Sequence, residues 1–482
     1  MARAETGVRG LDYVLKGGLP EGHVYLIEGA PGAGKSTLAL QFLLTGCRAG
    51  QDAVYVTLSQ TAEELGDIAR SHGLNLSEIE VVELLASEVR ERHLAQTVLH
   101  TAEEELDNLI GQIERMVDER RPSRIVIDSL SELRLISTSM LRFRRSILTL
   151  KTKMAAQHAT TLLIDGLDEL ATTGSVELMT HGVIRLEWRV PDYGVAQRRL
   201  QVVKMRGSPF IEGFHDFTIA TGGLIVFPRV ISFAPHTEHR AWKLKSGDER
   251  MDALFGGSLP GNGTTLLTGE TGAGKSVLCT LFAHTTAGRG IRTALFLFEE
   301  RQEDFINRSR NLGMDLGGSI EDGILAIQQL DPPEISQGQL FHDIYKMVGD
   351  GARLIIIDSL GGFVKALSPG RTLLPQFTSL LNTLKRQNVA VLMTLNESAG
   401  AGRRSPEELD YSFLADNVIK LSRYQSELTT GRSLWIKKKR YGPHSDEVRS
   451  LDIQEGGVAI SRIEGAFRVF DGVKERRPDS GG

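Results

Sequence analysis

The sequence lacks the residues that define several common protein classes. Only two of its 482 residues are cysteines, Cys47 and Cys279, and both follow Gly-rich motifs within apolar runs. Two such cysteines exclude a disulfide framework and indicate packed thiols in a reducing compartment. No uninterrupted apolar run approaches the ~20 residues of a membrane-spanning helix, and the first residues do not resemble a signal peptide. We therefore expect a cytoplasmic protein without a membrane partner.

The sequence also lacks an excess of positive charge. It has 56 lysines and arginines against 61 aspartates and glutamates, a formal net charge of −5, so nothing draws the whole chain to nucleic acid. Aromatic residues make up only 6%, and no basic stretch is interleaved with them, as binding to single-stranded nucleic acid would require. Nucleic acid is therefore not an expected partner, and the length predicts two or three domains.

What the sequence does contain is a duplication. The stretch GAPGAGKST at 29–37 returns as GETGAGKSV at 269–277, and similar segments precede both. The offset is 240 residues at three matched pairs: Asp12 and Asp252, Pro20 and Pro260, Lys35 and Lys275. A period of this length indicates a duplicated domain rather than a short structural repeat. We predict a first domain over 1–235, a second over 236–465 and a short flexible tail over 466–482.

Each copy predicts the same α/β fold. In the first copy, HVYLIEG at 23–29, AVYVTLS at 53–59, RIVIDSL at 124–130 and TTLLIDG at 160–166 are short β-rich runs separated by helical stretches. Strands that alternate with helices indicate a mostly parallel sheet with helices on both faces. The segments that end each copy predict an added antiparallel edge.

The two Gly-rich stretches fit the phosphate-binding pattern G-x-x-x-x-G-K-[ST]. Backbone N–H groups of such a turn point at phosphate oxygens, and the helix that follows adds its positive N-terminal end. The lysine reaches the β- and γ-phosphates, and the serine hydroxyl reaches Mg²⁺. An ordinary Gly turn is the alternative, but each stretch here follows a strand and opens a helix. The predicted nucleotide-binding residues are Gly29, Gly32, Ala33, Gly34, Lys35, Ser36 and Thr37, and Gly269, Gly272, Ala273, Gly274, Lys275, Ser276 and Val277.

Each copy also has an apolar strand that ends in aspartate, at Asp128 and Asp358. Together with the hydroxyls of Ser36 and Ser276, these carboxylates are predicted to hold the Mg²⁺ that accompanies the nucleotide. The alternative is a helix cap, which aspartate often provides at such a position. The phosphate pattern in the same copy favours the metal role.

The two copies differ where hydrolysis needs a group that activates water. The second strand of the second copy ends in LFLFEER, which gives Glu299 and Glu300 as catalytic candidates, whereas the matching strand of the first copy ends in Ser59 and Gln60. Serine is a poor base, and glutamine orients water without accepting its proton. We expect the first site to bind nucleotide with weak hydrolysis and the second to perform most of the chemistry.

The tandem G-L-D…G-G-x-L-P-x-G segments, the phosphate motifs, the IDS strands and the K-x-R-G segment together resemble the KaiC family of two-domain ATPases, over roughly residues 5–465. The resemblance implies two tandem RecA-like P-loop NTPase domains, with ATP and Mg²⁺ as cofactors. It also implies a homohexamer of two stacked rings with nucleotides at subunit interfaces. The family combines ATPase activity with autophosphorylation on adjacent serine and threonine in the second domain, and its catalytic glutamate pair matches Glu299 and Glu300.

The resemblance also assigns four cations. Lys204 and Arg206 match residues that reach the γ-phosphate bound by a neighbouring subunit. Lys438 and Arg440 match more loosely, because Tyr441 stands where glycine is expected. Cations that act in trans make physical sense there, as arginine fingers do. The alternative for the KKKR stretch is a patch for nucleic acid or solubility.

One serine is a candidate phosphoacceptor. Counted back from Asp416 and Asn417, Ser412 matches the family's serine, but Phe413 stands in place of its threonine. Autophosphorylation would then occur at Ser412 alone or not at all. The alternative is a cap or a turn residue, the commoner role of a lone serine at an element end.

Three hypotheses for function remain open. The first is a hexameric ATPase with serine autokinase activity in the second domain, acting in circadian timing or signal transduction with partner proteins. The second is an ATP-switched ring scaffold with little turnover, which the missing glutamate pair of the first copy favours and the pair in the second opposes. The third is a RecA-type DNA-dependent ATPase, which the acidic balance opposes and salt-dependent binding of single-stranded DNA would support.

Overall fold

The computed structural model describes residues 2–84, 102–166, 174–190, 196–229, 242–331, 334–362, 373–397, 411–426, 429–470 and 475–476. The chain divides into two compact units, Met1–Ile231 and Ser232–Gly482. The predicted domain limit at residues 235 and 236 lies outside the described residues and stays a prediction. None of the helices in these ranges is both long and apolar enough to cross a bilayer.

Strands and helices alternate along the first unit, as predicted. Its elements in chain order are β1 (Arg3–Ala4), α1 (Leu11–Val14), β2 (Leu19–Pro20), β3 (Val24–Gly29), α2 (Lys35–Arg48), β4 (Ala53–Thr57), α3 (Ala62–Ser71), β5 (Glu80–Glu83), α4 (Ala102–Arg120), β6 (Arg124–Asp128), α5 (Leu130–Ile136), α6 (Met140–Ala156), β7 (Thr160–Gly166), α7 (Gly174–Met179), β8 (Gly182–Arg189), β9 (Gln197–Met205), β10 (Phe214–Ala220) and β11 (Gly223–Phe227).

The second unit repeats this order. Its elements are β12 (Lys243–Leu244), α8 (Glu249–Leu254), β13 (Leu259–Pro260), β14 (Thr264–Gly269), α9 (Lys275–Gly288), β15 (Thr293–Leu297), α10 (Gln302–Asn311), α11 (Gly317–Glu321), β16 (Leu325–Gln329), α12 (Gln337–Gly349), β17 (Leu354–Asp358), α13 (Leu373–Arg386), β18 (Ala390–Asn396), a 3₁₀ turn (Tyr411–Leu414), β19 (Asn417–Ser426), β20 (Thr430–Lys439), β21 (Arg449–Gln454), β22 (Gly457–Arg462), β23 (Phe467–Val469) and β24 (Glu475–Arg476).

The main sheet of each unit has the same topology. Its order is β11-β10-β9-β8-β3-β7-β6-β4-β5 in the first unit and β22-β21-β20-β19-β14-β18-β17-β15-β16 in the second. Six neighbouring strands pair in parallel in each sheet. They are β8, β3, β7, β6, β4 and β5 in the first unit and β19, β14, β18, β17, β15 and β16 in the second. The strands beyond them add an antiparallel edge. The fold confirms the α/β prediction of two tandem RecA-like domains.

The central strands are apolar throughout because helices cover both faces of each sheet. In β6, Val126 packs into one core with α2, whereas Ile125 and Ile127 pack into a second core with α4, α5 and α6. The second unit has the corresponding pair of cores. This arrangement brings the carboxyl ends of all the parallel strands to one edge, where open α/β sheets bind their ligands.

The end of the chain differs from the expected flexible tail. Residues Phe467–Val469 form β23, which pairs with β19. Val469 is fully buried, and the Phe467 ring packs against Tyr424 with ring centroids 6.3 Å apart. The second unit therefore continues past residue 465, because these apolar side chains extend its core.

Candidate nucleotide sites

The two Gly-rich loops have the same geometry. Each leaves a central strand, β3 or β14, and opens the first long helix of its unit, α2 or α9. Gly34 and Gly274 stand just before these helices with φ of 101° and 102°. Only glycine adopts this left-handed conformation without cost. The loops therefore turn sharply, and the predicted phosphate-binding residues of each copy fall within one turn and the helix end that follows.

The motif lysines fold back over their own loops. The Nζ atom of Lys35 donates to the carbonyl of Gly29 at 2.7 Å, and Lys275 Nζ donates to that of Gly269 at 2.8 Å. Burial lowers the pKa of both lysines, and the strand-end aspartates oppose this shift. Each ammonium group thus sits beside the turn that would hold the phosphates.

The predicted metal residues come together in both copies. The hydroxyl of Ser36 donates to Asp128 Oδ2 at 3.0 Å, and Asp358 accepts a hydrogen bond from Ser276. Burial raises the pKa of both aspartates, and these hydrogen bonds oppose the rise. A hydroxyl and a carboxylate are the hard oxygen donors that Mg²⁺ prefers. The described residues contain no group of three or more His, Cys, Asp or Glu able to hold a metal.

A different side chain steadies the aspartate in each copy. In the first, the buried Tyr55 on β4 donates its hydroxyl to Asp128; in the second, Thr394 on β18 donates to Asp358. Neither residue belongs to a motif, so sequence analysis missed both. Their only signal is a hydroxyl within an otherwise apolar strand.

The structure separates the two glutamates that follow β15. The hydroxyl of Ser359, the residue after Asp358, donates to Glu299 Oε1 at 2.7 Å. Glu300 forms a two-pronged ion pair with Arg308 on α10, with distances of 3.0 and 2.8 Å. Glu299 also interacts with Lys275. Glu299 is therefore tied to the predicted phosphate- and metal-binding residues, whereas Glu300 is tied to the neighbouring helix.

The matching stretch of the first copy serves local structure. The carbonyl of Gln60 accepts a hydrogen bond from Thr57 at 2.7 Å. Glu64 accepts from the Thr61 N–H at 2.9 Å, and Thr61 Oγ1 accepts from the Glu64 N–H. This capping box starts α3. Ser59 and Gln60 thus stand where the second copy has its two carboxylates.

The predicted trans-acting cations lie far from their own loops. The backbone N–H of Arg206 donates to the carbonyl of His181. The backbone N–H of His181 in turn donates to the carbonyl of Val24, at the start of β3. The loop begins at the other end of this strand, about 16 Å away at roughly 3.3 Å per residue. Lys204 Nζ donates to the carbonyl of Glu177 on α7.

The second copy repeats this arrangement. The backbone N–H of Arg440 donates to the carbonyl of Asp416. The backbone N–H of Asp416 donates to the carbonyl of Thr264, at the start of β14. Lys438 Nζ donates to the carbonyl of Ser412 at 3.1 Å. Within one unit, the structure therefore does not bring any of these cations, or Ser412, to the phosphate loop.

Two units, each with a mostly parallel sheet and with a Gly-rich loop, a lysine and a serine–aspartate pair at the carboxyl edge of that sheet, define a P-loop ATPase with tandem RecA-like domains. A sequence model described as "ATPase: KaiC" matches residues 4–230 and again 244–465. The chain belongs to the KaiC ATPase family.

Similar proteins include circadian clock proteins. The circadian clock protein KaiC2 of Synechocystis is 27% identical, over 98% of this chain and 84% of its own length. The circadian clock oscillator protein KaiC of Synechococcus elongatus is 25% identical, over 99% and 92%. The similarity spans both units, so the family assignment covers the whole duplication.

Proposed function

We propose that this chain forms a homohexameric ring ATPase that binds Mg-ATP between subunits and hydrolyses it mainly in the second domain. The proposal that hydrolysis occurs mainly in the second domain rests on the difference between Glu299 and Ser59. The second copy has a carboxylate tied to the phosphate and metal residues, and the first has a hydroxyl there. The proposal of a ring rests on the resemblance and on the positions of Arg206 and Arg440. Neither cation reaches the phosphate loop of its own unit, so in a ring a neighbouring subunit would supply it to the site.

In this proposal the loop residues and the helix N-terminus of each copy bind the ATP phosphates. Ser36 with Asp128, and Ser276 with Asp358, would hold Mg²⁺, which neutralises the charge of the phosphates. In the second site Glu299 accepts a proton from the attacking water, since Ser359 orients its carboxylate. Glu300, held by Arg308, is a positioning residue. The first site binds ATP and turns it over slowly.

Lysine variants test this division of labour. We expect Lys275→Ala to lower phosphate release by more than about tenfold, because charge-assisted hydrogen bonds to phosphate contribute roughly 1.5–3 kcal/mol. Lys35→Ala should lower it by less than about twofold in assembled rings. Phosphate release and ring size are measured together. A larger loss in Lys35→Ala would contradict the proposal, and rings that release no phosphate would favour the scaffold hypothesis.

We also propose that the second domain phosphorylates Ser412. Because Ser412 lies at the far end of its own sheet, the phosphoryl group comes from ATP bound to a neighbour. The Oγ–P bond forms, the bond between the γ-phosphorus and the β-phosphate oxygen breaks, and ADP leaves. The hydroxyl proton passes to the Glu299 carboxylate of the subunit that holds the ATP.

Intact mass after incubation with Mg-ATP tests this transfer. We expect a shift of one phosphate in the parent chain and none in Ser412→Ala. Mixing Ser412→Ala subunits with Lys275→Ala subunits should restore the shift on the latter, since transfer crosses the interface. No shift in the parent, with phosphate still released to solution, would leave a plain ATPase.

The process served is proposed from the relatives alone. Those named above are circadian clock proteins, which supports a role in timing or signal transduction with partner proteins. The described residues supply nothing that identifies the partner.

A further inference from the structure

The first phosphate loop is held from one side by an aromatic residue that the proposed function does not use. Trp188, near the end of β8, donates its indole N–H to the carbonyl of Pro31 at 3.0 Å. Atom Cζ2 of its ring lies 4.0 Å from the position that a Cβ atom on Gly32 would occupy. The indole therefore lies against the turn between β3 and α2, and its N–H holds one peptide group of that turn.

The peptide group that Trp188 holds also carries an N–H of the phosphate loop. The bond between Pro31 and Gly32 is trans, and in a planar trans peptide the C=O and N–H groups point in opposite directions. A donor that holds the Pro31 carbonyl therefore turns the Gly32 N–H away from the indole. Gly32 belongs to the Gly-rich stretch whose N–H groups bind phosphate. The hydrogen bond thus fixes the orientation of one of these donors before nucleotide binds.

The residue whose carbonyl is held adds a second restraint. Proline has a fixed φ of about −65°, so Pro31 removes one soft dihedral from the loop. Thr271 stands at the equivalent position of the second copy, at the same 240-residue offset. The first loop is therefore restrained twice, by a ring within its backbone and by an indole beside it.

The second copy holds its loop with charged side chains. The sheet registers of β8 and β19 place Arg423 at the position of Trp188. Its guanidinium lies 3.9 Å from the position of a Cβ atom on Gly272, and the Gly272 carbonyl accepts from Arg432 Nε at 3.1 Å. A guanidinium has several donors and is attracted to phosphate, whereas an indole has one donor and no charge. The clamp on the first loop is therefore the one that phosphate does not compete for.

We propose that Trp188 is a positioning residue that slows the release of nucleotide from the first site. The inference rests on the proposed function and deepens it, since there the first site binds ATP and turns it over slowly. A loop that is fixed beforehand loses less conformational freedom on binding, and the gain in affinity appears mainly as slower dissociation. The second loop, which has Thr271 in place of proline and is held by a guanidinium, exchanges its nucleotide faster.

Release of N-methylanthraniloyl-ADP, a fluorescent ADP, tests the inference. The chain carries Lys275→Ala, so that the label binds mainly at the first site, and unlabelled ADP chases it from assembled rings. We expect Trp188→Phe to raise the release rate by about two- to tenfold, the effect of one hydrogen bond. Benzothienylalanine installed at residue 188 keeps the shape of the ring but has sulfur in place of the N–H, and it should raise the rate equally. Tyr13→Phe, which removes a hydroxyl from an exposed ring of α1, is the matched control and should leave the rate unchanged.

Hydrogen exchange of the nucleotide-free chain separates loop positioning from a general loss of stability. We expect faster exchange in both variants at residues 32–35 only, because a destabilised fold would exchange faster throughout the first unit. A rise in release that the benzothienyl side chain does not reproduce would overturn the inference, since packing of the ring would then hold the loop. Absence of label from the first site would overturn the proposed function and this inference with it. Binding with the same release rate in Trp188→Phe as in its parent would overturn the inference alone.

Discussion

A Glu299→Gln variant is expected to lose phosphate release at the second site by about 10²–10⁴-fold, the range that a general base contributes. Glutamine keeps an oxygen that can accept from Ser359, so the local geometry is retained while the proton acceptor is lost. Single-turnover hydrolysis of ATP in a Lys35→Ala background isolates the second site.

Glu300→Gln is the matched control for this prediction. It weakens the ion pair with Arg308 but leaves Glu299 in contact with Ser359. We expect a smaller loss, less than about tenfold, because a partly exposed ion pair contributes only modestly. If Glu300→Gln costs more than Glu299→Gln, the assignment of the base is reversed.

The converse change is expected to create activity in the first copy. In a Lys275→Ala background, Ser59→Glu should raise phosphate release by about tenfold or more, since a carboxylate base contributes at least that much. Ser129 follows Asp128 in the first copy as Ser359 follows Asp358 in the second. Ser129 therefore offers a hydroxyl to the new carboxylate, as Ser359 does to Glu299.

Gln60→Glu in the same background is the control. Its counterpart Glu300 is held by Arg308, but Ile68 stands at that helix position in the first copy. Without a guanidinium partner, this glutamate is expected to add little. A rate in Ser59→Glu equal to that of the background would mean that the first site lacks more than its base.

The structure bears out the fold that the sequence predicted, because its signals are local. The alternation of apolar runs with helical stretches predicts a parallel sheet in each copy, and the 240-residue offset predicts that the fold occurs twice. The antiparallel edge is also present, as β9 to β11 and β20 to β22. The prediction of a flexible tail is wrong over Phe467–Val469. The burial of these residues depends on pairing with β19, which is distant in sequence.

For the candidate sites, sequence by itself determined the chemistry that each short segment can offer. This chemistry is set by the residues of the segment itself. A Gly-rich turn between strand and helix can bind phosphate, and an aspartate at a strand end can bind a metal, without a contribution from distant residues. Only tertiary structure decided which groups meet. It ties Glu299 to Ser359 and supplies Tyr55 to Asp128. These contacts join strands and helices far apart along the chain, and the parallel sheet fixes their register, so no local pattern encodes them.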